Sequence, residues 1–195
     1  MRTVARAYML LGHVRIASRE RQASLTCNPS SLERTKTMTN NVTTGGCQCG
    51  ALRYRIEGPL GPAGFCHCRM CQKAFGSFGA PLVSADPARF RWTRGEPAIF
   101  RSSPVVARGF CRDCGTPMFM LEDGYGPIEL AIGTLDDPAT AAPDHVAGVE
   151  SKLPWADALP SLPARTTADD RTPEDPAKLT SRQHPDHDTE RWPPA

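Results

Sequence analysis

All but one of the eight cysteines stand in three tight groups. Cys47 and Cys49 form C-x-C, Cys66, Cys68 and Cys71 form C-x-C-x-x-C, and Cys111 and Cys114 form C-x-x-C. A disulfide framework spreads its cysteines among loops and accompanies a secretory signal. This chain shows neither pattern. Cysteines one or two residues apart aim their sulfurs at one centre, as a metal requires, so metal binding is expected over structural or redox disulfides.

Cys47-Gln48-Cys49-Gly50 and Cys111-Arg112-Asp113-Cys114-Gly115 each end a sulfur pair with glycine. After a ligating cysteine the chain turns tightly, and glycine accepts the positive φ that the turn demands. The turn also points backbone N–H groups at the thiolates. The two knuckles match each other, which pairs 47/49 with 111/114. Four sulfurs complete a tetrahedral zinc site with no open position, the layout of a structural metal. Cys66-His67-Cys68-Arg69-Met70-Cys71 offers three sulfurs. Three protein ligands plus one exchangeable position is the layout of a catalytic zinc. The alternatives here are a second structural site closed by Cys27 or a partner chain, and an iron–sulfur cluster. His67 stands between two ligands, where its ring is expected to point away from their metal. Arg69 and Lys73 are four apart and share one helix face beside the cluster; as a plain surface feature they form a solvated basic face.

Three segments must carry these residues. Residues 1–37 hold Arg2, Arg6, Arg15, Arg19, Arg21, Arg34 and Lys36 against Glu20 and Glu33. Arg- and Ser-rich leaders of this kind can be transit peptides; the simpler expectation is a true start at Met38, with Cys27 a bystander. Residues 38–163 form the expected domain. Short β-like runs recur over 51–56, 77–84, 89–92, 98–102, 105–110, 118–121 and 128–132. They are punctuated by Gly58-Pro59, Gly95-Glu96-Pro97 and Gly124-Tyr125-Gly126-Pro127. One short helix is expected over 69–75. Another is expected near Asp136-Asp137-Pro138, where Asp can cap and Pro suits the first turn. The class is mainly β. Residues 164–195 are rich in Pro and charge and almost free of apolar side chains, which predicts a disordered tail. His184 and His187 are expected to be solvated there. No apolar run approaches the roughly 20 residues that span a bilayer, so no membrane partner is expected. A net charge of +2 argues against nucleic acid.

The cysteine groups occur in Gly45-Gly46-Cys47-Gln48-Cys49-Gly50, in Cys66-His67-Cys68-Arg69-Met70-Cys71, and in Arg108-Gly109-Phe110-Cys111-Arg112-Asp113-Cys114-Gly115-Thr116-Pro117. With Ile132-Gly133-Thr134-Leu135-Asp136-Asp137 and Ser151-Lys152-Leu153-Pro154-Trp155, this ordered set resembles the glutathione-dependent formaldehyde-activating enzyme family, which shares its domain with centromere protein V. The resemblance covers about residues 43–156. It implies a small zinc-stabilised, Mss4-like (β-tent) domain. It also implies a structural zinc at Cys47, Cys49, Cys111 and Cys114 and a catalytic zinc at Cys66, Cys68 and Cys71. The chain departs from the family pattern near His145, where Ala147-Gly148 stands in a region in which many members carry an aromatic residue. That departure bears on substrate identity if the segment borders the site.

The implied reaction joins glutathione and formaldehyde into S-(hydroxymethyl)glutathione, so the implied partners are a small thiol and an aldehyde. A free thiol of pKa near 8.5 is only a few per cent thiolate at pH 7. Coordination to zinc removes that penalty, at most roughly 30-fold or about 2 kcal/mol. Positioning of the aldehyde beside the sulfur must supply the larger share, up to roughly 7–11 kcal/mol. The reading from another class is a non-catalytic zinc module that binds a protein or chromatin partner, although near-neutral charge provides no clear docking surface for one. Clustered free thiolates fit a reducing compartment, and a cytoplasmic location is expected.

Overall fold

The computed structural model describes residues 41–169 and 181–192. The leader 1–37, with Cys27, lies outside the described residues. Among the described residues, ten strands and one α-helix follow in chain order: β1 (Val42–Gly46), β2 (Arg53–Glu57), β3 (Ala63–Cys66), α1 (Arg69–Phe75), β4 (Ala80–Ala85), β5 (Phe90–Arg94), β6 (Ala98–Arg101), β7 (Val106–Phe110), β8 (Pro117–Glu122), β9 (Ile128–Ala131) and β10 (His145–Ala147). They form a three-stranded sheet, β1-β2-β5, and a seven-stranded sheet, β10-β3-β4-β9-β8-β7-β6. Every pairing is antiparallel except β10 with β3.

The core lies between the two sheets. The small sheet contributes Tyr54 and Ile56, and the large sheet contributes Val83, Met118 and Leu130, all fully buried. Tyr54 stacks edge-on against Trp92, with centroids 5.9 Å apart, and Trp92 reaches Phe119 across the sheets at 6.1 Å. The Tyr54 hydroxyl is paired with Thr134 Oγ1 at 2.9 Å, which satisfies its one polar atom in an apolar setting.

The expected runs at 89–92, 98–102, 105–110, 118–121 and 128–132 coincide with β5 to β9 within two residues, and those at 51–56 and 77–84 with β2 and β4 within three. The helix expected over 69–75 is α1. Near Asp137 the expected helix is one four-residue 3-10 turn, Pro138–Ala141, with Asp137 Oδ1 accepting from the Ala139 N–H at 3.2 Å. The chain then leaves for β10, so capping and Pro start a helix that nothing extends.

Within the expected disordered tail, the described residues 181–192 instead pack against β2, β5 and the turn after β1. His184 N–H donates to Gln48 O at 2.8 Å, and its ring is buried against Trp192 with centroids 5.3 Å apart. Arg53 Nε and Nη2 donate to Asp188 Oδ1 at 3.0 and 2.7 Å, and Arg94 Nη2 donates to Thr189 O. The segment docks through charge and backbone groups, which a tally of apolar side chains misses. His187 is exposed.

Candidate metal centres

The first centre forms where two strand ends meet. The turn after β1 carries Cys47 and Cys49, and the turn after β7 carries Cys111 and Cys114. Gly50 and Gly115 take φ of 74° and 76°. Their N–H groups close the turns onto Cys47 O (3.0 Å) and Cys111 O (2.9 Å). The Leu52 N–H points at Cys47 Sγ, 3.2 Å away. Thr116 ties the knuckles together: its Oγ1 accepts from the Gln48 N–H at 3.1 Å and lies 3.1 Å from Cys114 Sγ.

The four sulfurs all lie within 4.8 Å of one another, with Cys49 at 3.6 Å from Cys47 and 3.7 Å from Cys111. A disulfide needs about 2.05 Å. Four sulfurs about 2.3 Å from a tetrahedral zinc stand about 3.8 Å apart, so these residues fit that ion. Burial pushes the Cys49 thiol up to about 12 and raises Cys111. Burial opposes ionisation of Cys114 too, but hydrogen bonds from the Thr116 hydroxyl and N–H outweigh it and bring the thiol down to about 6. A divalent cation removes the conflict among these neighbouring thiols by favouring thiolate at every position.

The second centre is built at the join of β3 and α1. Cys66 ends the strand, Cys68 is the N-cap of the helix, and Cys71 lies in its first turn. Their sulfurs also lie within 4.8 Å of one another. Cys68 Sγ accepts from the Cys71 N–H at 3.4 Å. Burial raises Cys66. Burial also pushes the Cys71 thiol up to about 12 against the pull of Arg108. At Cys68 burial is outweighed by hydrogen bonds from the Cys71 N–H and the neighbouring sulfurs, and the thiol falls below its ordinary value. Among the described residues no histidine, carboxylate or further cysteine joins these three. His67 is buried in an aromatic group, its ring 4.9 Å from Phe65 and 6.5 Å from Phe78.

Three further residues support the centre, one from α1 itself and two from elsewhere. Arg108 on β7 is buried, with Nη2 donating to Cys71 Sγ at 3.6 Å and Nε to Ser102 Oγ at 3.1 Å. Gln72 is buried and fully used: its Nε2 donates to His67 O (2.6 Å) and Ser151 O (2.8 Å), and its Oε1 accepts from Arg69 (2.9 Å). Gly148 approaches so closely that a Cβ would stand 2.5 Å from the Cys68 nitrogen. Its neighbour Ala147 accepts from the His67 N–H at 2.8 Å. The segment in which the chain departs from the family pattern therefore borders the three-sulfur centre. A sequence signal existed for Arg108, a lone charge within Val-Ala-Arg-Gly-Phe. None existed for Gln72.

A mainly β domain with one group of four sulfurs and one of three is, by fold and site, a cysteine-rich domain with two dissimilar clusters that could each hold a metal ion. Residues 42–150 match the model of the family described as glutathione-dependent formaldehyde-activating enzyme, and the chain belongs to that family. No curated protein matches the chain. It is similar to the crystal structure of a Rhodobacter sphaeroides protein at 20% identity and a TM-score of 0.45, over 53% of this chain and 99% of that one.

Proposed function

We propose that residues 38–163 form a zinc-dependent carbon–sulfur lyase and synthase acting on a thiol–aldehyde adduct, with glutathione and formaldehyde as the leading pair. The contrast between four sulfurs at one centre and three at the other carries this reading. Cys47, Cys49, Cys111 and Cys114 would hold a structural zinc, and Cys66, Cys68 and Cys71 a catalytic one. Held by Cys66, Cys68 and Cys71, zinc would supply Lewis-acid chemistry that favours the thiolate form of a thiol substrate.

The chain's own groups do the rest. The Arg108 guanidinium offsets negative charge at Cys71. Gln72 fixes the start of α1 to the loop at Ser151, which holds the three cysteines in one geometry. Phe65 and Phe78, with centroids 5.2 Å apart, pack against the His67 ring between Cys66 and Cys68. In the synthetic direction the thiol sulfur bonds to the aldehyde carbon. The carbonyl pair moves to oxygen, which takes up one proton as the thiol loses one. Cleavage runs these changes backwards, and neither direction needs an oxidant or reductant. Accessible thiolates suit a reducing compartment such as the cytoplasm, and among the described residues no helix is long and apolar enough to cross a membrane.

Proton NMR of formaldehyde exchange with glutathione, with and without zinc-loaded protein, tests this. Acceleration above the spontaneous reaction is expected. A rate equal to the blank overturns the proposal.

A further inference from the structure

Where β10 runs beside β3, His145 stands in register with Gly64 and Ala147 with Cys66. Side chains two apart along a strand share a face, so His145 stands on the face that carries the Cys66 sulfur. The next strand fixes that side: Leu82 lies opposite Gly64 and Ala80 opposite Cys66, and both pack with Cys71. The imidazole leans over Gly64 and fills the place of the missing side chain, where a Cβ would stand 2.4 Å from Nε2 and 2.6 Å from Cε1. One two-residue step of about 7 Å separates this row from the row of Cys66. Ala147, the next residue on the same face of β10, ends at its methyl group and is exposed, so no bulky side chain of β10 stands between ring and sulfurs.

The ring is also held in one orientation. Its Nδ1 lies 2.6 Å from Asp144 Oδ1. An ionised carboxylate only accepts hydrogen bonds, so Nδ1 carries the proton and Nε2 is the basic nitrogen of the neutral ring. Among the described residues Nε2 has no hydrogen-bond partner. Imidazole is the side chain best able to take up and release a proton near neutral pH.

We infer that His145 Nε2 is the proton carrier of the three-sulfur centre, with Asp144 as its positioning residue. The inference rests on the proposed thiol–aldehyde reading and supplies a group that the sulfurs cannot. Synthesis moves one proton from the thiol to the aldehyde oxygen. Nε2 takes that proton as sulfur bonds to carbon, and gives it to the oxygen as the carbonyl pair settles there. In cleavage it takes the hydroxyl proton and returns it to the sulfur as the carbon–sulfur bond breaks. The ring ends each turnover as it began. Asp144 keeps the proton on Nδ1 and stabilises the imidazolium formed midway, as the acid of a catalytic triad does. A positioned acid–base group typically contributes about 10²–10⁴-fold.

The formaldehyde–glutathione exchange assay on the zinc-loaded full chain tests this. His145→Ala should lower the acceleration at least about 100-fold. Zinc content and melting temperature should stay at wild type, since the ring is exposed. Added imidazole should restore part of the loss in proportion to its concentration. Gly64→Ala keeps the histidine and every sulfur. Gly64 does not take a positive φ, so alanine suits its backbone, and the new methyl displaces only the flexible ring. A loss of about 10–100-fold is expected there. Nitrogen-15 NMR of the ring gives a readout apart from activity: neutral His145 should be protonated at Nδ1, and Asp144→Ala should shift the proton toward Nε2. Full acceleration in His145→Ala overturns the assignment. So does a loss that imidazole leaves untouched or that follows a loss of zinc, and so does a neutral wild-type ring protonated at Nε2. The two proposals fail separately: a wild-type rate equal to the blank removes the reaction itself, whereas catalysis that survives His145→Ala leaves the reaction and removes the proton carrier.

Discussion

Cys68 Sγ belongs to the three-sulfur group and also caps α1 by accepting from the Cys71 N–H. Serine keeps the capping role, being among the preferred N-cap residues, and loses the thiolate. Cys68→Ser should therefore leave the circular dichroism spectrum and melting temperature close to wild type while thiol–aldehyde exchange falls to the blank. Cys114→Ser strikes the closed centre instead. A structural zinc in zinc-finger peptides contributes roughly 10–16 kcal/mol, as much as the whole stability of an ordinary domain. That variant should be unfolded or recovered only as aggregate. Equal unfolding by both substitutions would remove the division of labour between the centres. Gln72 offers a third test without touching a sulfur. Gln72→Leu leaves the His67 and Ser151 carbonyls without their donor, at about 1–3 kcal/mol each when buried. Urea denaturation should show a loss of about 2–6 kcal/mol with an unchanged slope.

The C-terminal segment is the element whose behaviour should follow pH. Arg53 is buried between Asp136 and Asp188, so β2 and the 181–192 segment share one guanidinium. Burial opposes ionisation of Asp136, but hydrogen bonds from Arg53 and Thr44 outweigh it and hold its carboxyl below the ordinary value. Its contribution to stability is complete above the unfolded carboxyl's pKa near 4 and is lost as pH falls through the lower folded value. His184 moves the same way for another reason: burial, aided by Arg53 and Arg94, disfavours the imidazolium and lowers its pKa. Its contribution is complete above the unfolded imidazole's value near 6.5 and declines as pH falls through the lower folded value. Acidification should release the segment before the domain unfolds. A fluorescence change below pH 6.5 that Trp192→Phe abolishes would record this, and a signal flat down to pH 4 would contradict it. Strands whose apolar residues recur between turn signals, as in β2, were readable from sequence. β1 (Val-Thr-Thr-Gly-Gly), β3 (Ala-Gly-Phe-Cys) and the three-residue β10 were not, because they are short or glycine-rich and exist through their partners. The cysteine groups were legible because their spacing is local. The contact of Arg108 with Cys71 and the docked segment were not, since strand pairing and ion pairs between distant residues bring them into place.

At the scale of the molecule, the two centres differ in what they hold together. The three sulfurs of the second span six residues and join β3 to α1. The first joins the small sheet, through the turn after β1, to the large one near its β6 edge, through the turn after β7, with Cys49 and Cys111 62 residues apart. Cross-linking a loop of that length removes about 4 kcal/mol of chain entropy from the unfolded state, before any metal–sulfur bond is counted. Cys47 and Cys111 also belong to the main hydrophobic cluster, so a zinc held by them under the proposed function would brace the core itself. A chelator should therefore remove metal in two stages. Loss of the first equivalent should abolish exchange activity with little change in β-sheet signal, and loss of the second should coincide with cooperative unfolding. Zinc release followed by a chromogenic chelator, alongside circular dichroism on the same sample, gives both readouts. Release of two equivalents in one step that coincides with unfolding would mean that both ions are structural, and the open centre would lose its claim to chemistry.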